Sequence, residues 1–378
     1  MIAVKIGWFV LEGTLIWSTV YYGSSLAVIL AVFLAAVPLV SALINLYICR
    51  NVDVEIKADL NLRKGSGGRC VLHVCNPLRI PVFRIRYVVK AQNQLNREEK
   101  FMSLWSFLPP KKKQEEILTV KSDFCGRIRF SLEKAVFYDC FGLIGVPYKY
   151  SATAYMTVQP DTFEMETVLI PGNNNIDESD VYSQERPGAD LTEIYQIREY
   201  VPGDSPRQVH WKLTNKFDRL IVRDPALPIM RNVLVFWERT GETDNRKLID
   251  AQAEAMVSLC QSLLDQSIQF TIGWNDTDRN LCILYEIRTM DEWIGIIPRL
   301  MRAAGTKTGL SGAQLLVQTR PEALCGHMVY LACEPQTEVM EMKKYGNVTV
   351  LQCDGDRIEG ALLFDEMHFR EQLSFVQI

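Results

Sequence analysis

Histidine is scarce in this 378-residue chain: there are four, His73, His210, His327 and His368, all far apart. That spacing excludes the paired ligands of HExxH-type metal sites and places no base beside a nucleophile. Phosphate-binding loops are missing too. No GxGxxG occurs, and Gly305-Thr306-Lys307-Thr308 lacks both the upstream glycine and the Gly-Lys pair of a P-loop, so it reads as a helix C-terminal turn. Gly309-Leu310-Ser311-Gly312 has the wrong spacing for a nucleophile elbow. None of the ten cysteines forms a CxxC pair, and most lie in apolar runs such as Cys70-Val71-Leu72. They read as buried reduced thiols of a portion facing the cytosol, a disulfide framework being the weaker alternative. A formal net charge of −4 and an isoelectric point near 5.8 supply no broad basic field, which argues against nucleic acid as a partner.

What the chain does have is an apolar N-terminus. Leu26 to Ile48 contains no charged residue and supplies the roughly 20 residues that a hydrocarbon core requires. Ile6 to Tyr22 is a second apolar run that carries Glu12, a costly residue at mid-bilayer unless paired or near an interface. Residues 1–50 are therefore read as a transmembrane hairpin with spans at about 6–22 and 26–48, turning at Gly23-Ser24-Ser25. Lys5 precedes the pair and Arg50, Arg63 and Lys64 follow it, so both ends are expected in the cytoplasm of a multi-pass cell-membrane protein. A signal peptide is the competing reading, but no small-residue cleavage pattern closes the first run.

From Arg50 onward the apolar period becomes two: Val52, Val54, Ile56, Ala58 and Leu60, then Phe83, Ile85, Tyr87 and Val89, then Ile128, Phe130 and Leu132. Turn signals at 65–68, Asn76-Pro77, Pro109-Pro110 and 123–126 separate them. Residues 51–160 are expected to form an all-β immunoglobulin-like sandwich. Lys111-Lys112-Lys113 reads as a solvated hairpin tip, with contact to anionic lipid as the alternative.

Residues 161–224 read as a linker followed by a polar signature segment. Pro171 to Asn175 and Asp177 to Asp180 read as surface loop. Between Glu185 and Asp224 seven basic groups face seven acidic ones, a balance that favours internal ion pairs over a polyanion site. The segment contains Arg198, Glu199, Tyr200, Pro202, Gly203, Asp204, Arg207, Trp211 and Lys212. In this order they resemble the signature of the bacterial "domain of unknown function 58" proteins. Gly126-Arg127-Ile128 and Asp139-Cys140-Phe141-Gly142-Leu143 resemble two further family elements, with Cys140 in place of a proline. His210 and Thr214-Asn215-Lys216 depart from the family's Asp before the Trp and its Ser-Ala-Arg after it. The segment is expected either to lock a crossing strand onto the next domain or to present a binding surface, with Trp211 as a packed anchor.

Residues 225–378 alternate between short apolar runs and helical patterns, from 232–236 through helices near 249–263, 291–303, 337–344 and 366–373, as in a mainly parallel α/β sheet. The family resemblance implies a von Willebrand factor A-like fold with a metal site after its first strand. At that place stand Glu238, Thr240 and Glu242, which keep oxygen ligands but insert Arg239 among them. They are read as a degenerate loop without cofactor, Mg²⁺ or Ca²⁺ binding being the alternative.

The fold expected is thus multidomain: two N-terminal transmembrane helices, a β-sandwich and a Rossmann-like α/β domain. No catalytic residue is assigned. The function expected is a non-enzymatic interaction or adaptor protein in the membrane. The resemblance implies a MoxR-class AAA ATPase and a transglutaminase-like membrane protein as partners in cell-envelope processes. A metal-dependent ligand-binding domain and a hydrolase with an unrecognised site are the alternatives.

Overall fold

The computed structural model describes residues 2–378 except 140, 170–181, 203, 204, 206, 207, 218, 229–232, 325, 335–337, 356 and 357. The chain is multidomain, with mixed α/β content and several sheets; two compact units divide between Pro160 and Asp161.

The first unit opens with α1 (Ile2–Tyr22) and α2 (Ser25–Asn51), which pack on one another. The reversal uses Gly23 at φ 65°, a conformation that costs an L side chain and costs glycine little. Ser24 then caps α2, its side chain accepting from the Ala27 amide. Among the described residues α2 is the one helix long and apolar enough to cross a membrane. Its last turn does not stop at the expected boundary, because Ile48 and Cys49 join the core of the β-rich part. The Tyr150 hydroxyl donates to the Cys49 carbonyl at 2.8 Å, and burial pushes the Tyr150 hydroxyl far above its ordinary pKa.

The strands that follow are β1 (Asp53–Ala58), β2 (Asn61–Arg63), β3 (Gly67–Cys75), β4 (Val82–Asn93), β5 (Glu99–Leu108), β6 (Lys113–Lys121), β7 (Gly126–Tyr138), β8 (Gly145–Tyr148) and β9 (Thr153–Gln159). They make a three-stranded sheet, β1-β3-β6, and a larger one, β2-β9-β7-β4-β5, with β8 added beside β7. Ile56, Leu72 and Val74 of the smaller sheet share one core with Ile85, Tyr87, Phe130 and Phe137 of the larger. Each large side chain so buried contributes about 1.5–3 kcal/mol.

Alternation predicts the inward residues except where a strand is irregular. Phe83 points out and is 60% exposed, because the β4–β5 register shifts between Val82 and Ile85, and such a bulge moves every earlier side chain to the other face. Leu60 is exposed because β1 ends at Ala58.

Of the sequence elements at 126–128 and 139–143, Gly126 opens β7 and Asp139 anchors a turn. Gly126 sits at φ 133°, and a Cβ there would lie 2.2 Å from the Asn93 side chain, which itself donates to the Cys125 carbonyl. Buried Asp139 accepts from the amides of Phe141 (3.1 Å) and Ile144 (2.6 Å) around Gly142 at φ 71°.

The second unit begins earlier than the expected α/β boundary at 225. β10 (Glu166–Val168) pairs with the last strand, β19 (Phe375–Gln377). Between them, in chain order, lie β11 (Tyr182–Glu199), α3 (Trp211–Phe217), β12 (Ile221–Pro228), β13 (Val233–Trp237), α4 (Arg246–Asp265), β14 (Phe270–Asp276) and β15 (Leu281–Ile287). These are followed by α5 (Met290–Leu300), α6 (Gly312–Thr319), β16 (His327–Ala332), α7 (Val339–Met342), β17 (Asn347–Gln352), β18 (Leu362–Leu363) and α8 (Phe369–Gln372). β11 and β12, with α3 between them in the chain, form an antiparallel pair of their own. The main sheet has the order β15-β14-β13-β16-β17-β18 and is parallel apart from β15.

β13 is buried along its whole length and central, as an unbroken apolar run in a parallel sheet should be. Asn245 caps α4 by accepting from Lys247 N. The far end of α4 holds the 163–167 segment, through Ser258 to Phe163 N (3.1 Å), Ser262 to Met165 O (2.6 Å) and Gln266 to Thr167 O (3.0 Å). α7 and α8 are single turns, shorter than their apolar pattern suggests.

Phe130→Ala empties a fully buried site in the shared core, whereas Phe101 is 64% exposed. Phe130→Ala should cost about 3–5 kcal/mol in denaturant unfolding of the detergent-solubilised protein. Phe101→Ala should change it little; equal effects would mean the two faces are wrongly assigned.

Candidate functional site

Open parallel sheets gather their functional loops at the carboxyl ends of the strands. At that edge β13 leads into Trp237-Glu238-Arg239-Thr240-Gly241-Glu242, the loop expected to carry oxygen ligands. The structure brings Glu238, Thr240 and Glu242 together there, all buried, with Arg239 completely enclosed among them.

Each oxygen is already engaged. Glu238 accepts from Thr240 N at 2.8 Å with one carboxyl oxygen. With the other it accepts from Gly312 N at 2.5 Å and from the Tyr330 hydroxyl. The Thr240 hydroxyl donates to the Leu310 carbonyl (2.9 Å) and accepts from Asn275 Nδ2 (2.8 Å), while Asn275 Oδ1 takes the Arg239 amide (2.6 Å). Glu242 lies 2.6 Å from the Arg239 guanidinium, close as an ion pair though not aligned as a hydrogen bond. Arg239 also donates to the Ala303 carbonyl at 2.9 Å and stacks 4.2 Å from the Trp237 ring centroid. Gln252 completes the shell, accepting from Trp237 Nε1 at 2.9 Å and donating to Glu242 at 3.2 Å.

These residues do not fit a divalent cation. The Arg239 guanidinium lies against Glu242, and the carboxylates spend their lone pairs on backbone amides, a tyrosine, a glutamine and that arginine. Among the described residues no group of three or more His, Cys, Asp or Glu is placed to hold a metal. Burial is the largest influence on Glu238 and raises its pKa, against the hydrogen bonds from Tyr330, Thr240 and Gly312 that lower it.

Asn275, Tyr330 and Gln252 escape sequence reasoning, since each comes from a different strand or helix. Asn275 alone left a trace, as a polar residue closing the apolar run of β14. Gly305 to Thr308 is not a helix turn. It runs beside the β13 loop, Thr306 N donating to Arg239 O (2.8 Å) and Glu242 N to Thr306 O (3.0 Å). Ser311, from the rejected nucleophile motif, caps α6 by accepting from Gln314 N at 3.1 Å.

The signature segment lies elsewhere in the unit. Gly203, Asp204 and Arg207 fall outside the described residues, as do the expected loops at 171–175 and 177–180. Arg198 and Glu199 end β11, opposite Val222 and Ile221, and Tyr200 N donates to Leu220 O at 3.0 Å. Glu199 pairs with Arg219 in the open, and Pro202 and Lys212 are exposed. Trp211 is not the packed anchor expected: it is 63% exposed, on a helix with no buried residue.

Glu238→Ala would leave two amides and the Tyr330 hydroxyl without their acceptor, and should cost about 2–4 kcal/mol in chemical denaturation. Because the folded pKa of Glu238 is raised, its stability contribution is complete below the ordinary carboxyl value and is lost as pH climbs through the raised one. The stability of the wild type relative to Glu238→Gln should therefore fall as pH rises across that range, and a difference that rises instead would contradict the assigned burial.

No family model matches the chain, and no curated protein matches it. Among solved structures, the CARDB domain of a Pyrococcus furiosus protein in complex with di-metal ions aligns at 18% identity over 28% of this chain and 91% of that one, with a TM-score of 0.22. A β-glucosidase from Listeria innocua in complex with gluconolactone aligns at 10% identity over 28% of this chain and 16% of its own, TM-score 0.20. An exo β-N-acetylglucosaminidase mutant from Vibrio harveyi aligns at 8% identity over 86% of this chain and 56% of its own, TM-score 0.17. Scores of this size fix neither a fold nor an activity.

Proposed function

We propose that the chain is a membrane-anchored, non-enzymatic interaction or adaptor protein of the "domain of unknown function 58" kind. In this reading α1 and α2 both span the membrane and both soluble units lie in the cytoplasm. Support comes from the basic residues flanking the hairpin, Lys5 and Arg50, and from the aromatic cluster at its turn. There Trp17 stacks on Tyr21 at 5.3 Å beside Tyr22, as in the aromatic belts of membrane interfaces. The β-rich unit is read as an immunoglobulin-like sandwich and the parallel sheet as a von Willebrand A-like domain that has exchanged its metal for Arg239.

The observation that carries the reading is the contrast between two places. In the β13 loop, where such a domain would do chemistry, the side-chain oxygens of Glu238, Thr240 and Glu242 are each engaged by other protein groups. On the signature segment, by contrast, Ile197, Val201, Trp211, Phe217 and Leu220 are exposed. Large apolar side chains left uncovered in one stretch are what an interface offers a partner. The resemblance names the partner: an AAA-type ATPase of the MoxR class, with a transglutaminase-like membrane protein as a second candidate, in a cell-envelope process.

Affinity purification of the tagged protein in mild detergent should enrich a MoxR-class ATPase. Trp211→Ala with Phe217→Ala should lower its recovery several-fold at an unchanged melting temperature. Absence of any such ATPase from the wild-type eluate would contradict the reading.

A further inference from the structure

α2 enters the β-rich unit at one end of its two sheets, and the pairings identify that end. β1 begins at Asp53, two residues past α2, and Asp53 faces Cys75, which faces Lys113. The chain then turns through 76–81 into β4, where Val82 faces Leu108 and Arg84 faces Tyr138. The loops 76–81 and 109–112 and the residues 141–144 that follow β7 therefore share the end where α2 arrives. The first two loops are tied together: Asn76 Nδ2 donates to the carbonyls of Ile80 (2.9 Å) and Pro109 (3.1 Å), and Lys111 N to Leu78 O (2.9 Å).

What this end shows to solvent is unusual for a soluble surface. Ile80, Phe83, Phe107 and Phe141 are all exposed, Phe83 by 60% and Phe107 by 47%, and these two rings lie 6.3 Å apart. Beside them Arg84 stacks at 4.5 Å over Trp105, which lies 5.4 Å from Tyr138. Arg79, Lys111, Lys112 and Lys113 are exposed at the same end. Asp139 is buried and spent on its own turn; the exposed acids near this end are Asp53 and, two residues further in, Glu55 and Glu115, the last paired with His73. Apolar tips ringed by cations, with Trp and Tyr behind them, match the composition of a headgroup interface.

Position supplies the second argument. Ile48 and Cys49 belong at once to the last turn of α2 and to the core of the β-rich unit. A rigid joint with no linker holds this end at the level where the apolar helix ends. We propose that the loops 76–81 and 109–112, with Phe83, Phe107 and Phe141, dock into the anionic leaflet of the bilayer that α2 crosses. This rests on α2 being a membrane span. The triple-lysine tip is then a headgroup contact rather than a free hairpin.

The test is photo-crosslinking of the full-length protein in vesicles of phosphatidylglycerol and phosphatidylcholine in equal parts, with p-benzoylphenylalanine replacing one residue at a time. Position 33 on α2 reports the span, positions 83 and 107 the docked end, and Arg97, on the turn at the opposite end of the sheets, the background. Lipid adducts at 33, 83 and 107, several-fold above 97, are expected, with those at 83 and 107 falling in pure phosphatidylcholine and in a variant carrying Arg84→Glu, Lys111→Glu and Lys112→Glu. Adducts at 33 alone would overturn the docking and leave the span standing. No adduct at 33 would remove the span and the docking with it. Adducts at 83 and 107 that ignore lipid charge and the three substitutions would overturn the anionic contact.

Discussion

Arg239 carries a full charge to a place where none of its surface meets water. Removing a guanidinium from solvent costs several kcal/mol, and only close charge and well-placed acceptors recover it. The β13 loop is shaped by that demand. Glu242 supplies the countercharge, Ala303 a carbonyl, Trp237 a ring face and Gln252 the link between them. Segments far apart in sequence meet at the carboxyl end of β13 around this one side chain, and the side-chain oxygens of Glu238, Thr240 and Glu242 are all engaged there.

The same economy appears in the first unit, where the rigid element is the passage from helix to sheet. α2 does not hand over to the sandwich through a flexible stretch. Its final turn is part of the sandwich core, fastened by Tyr150 to the Cys49 carbonyl. Orientation of the β-rich unit relative to the helix is thereby set, and so is the set of loops that faces where the helix came from. Gly126 and Asp139, which carry the family resemblance in the sequence, serve this architecture, the one opening β7 against Asn93 and the other holding a turn.

Much of this was legible in the sequence where the signal is local. Alternation predicts Ile85, Tyr87, Val89 and Phe130 inside, and the uninterrupted run at 233–236 predicts a buried parallel strand. Phe83 misleads because a register shift is a property of two strands and leaves no mark on one. β10 and β19 are missed because three-residue strands carry too little pattern, and each is stable only by pairing with the other. At the strand edge the residue types Glu238, Thr240 and Glu242 were evident, and so was the intruding arginine. That Arg239 folds inward, and that Asn275, Gln252 and Tyr330 meet it there, depends on tertiary packing. Trp211 failed for the opposite reason: an aromatic is usually buried, and nothing in the sequence tells when it is left for something else.

The network around Arg239 in the β13 loop already engages the oxygens that a cation would need. Titration calorimetry of the detergent-solubilised full chain with Mg²⁺ and with Ca²⁺ tests it most directly. No saturable heat beyond dilution is predicted with either ion. A one-to-one isotherm that disappears in Glu238→Gln would contradict it and place a cation where Arg239 now lies.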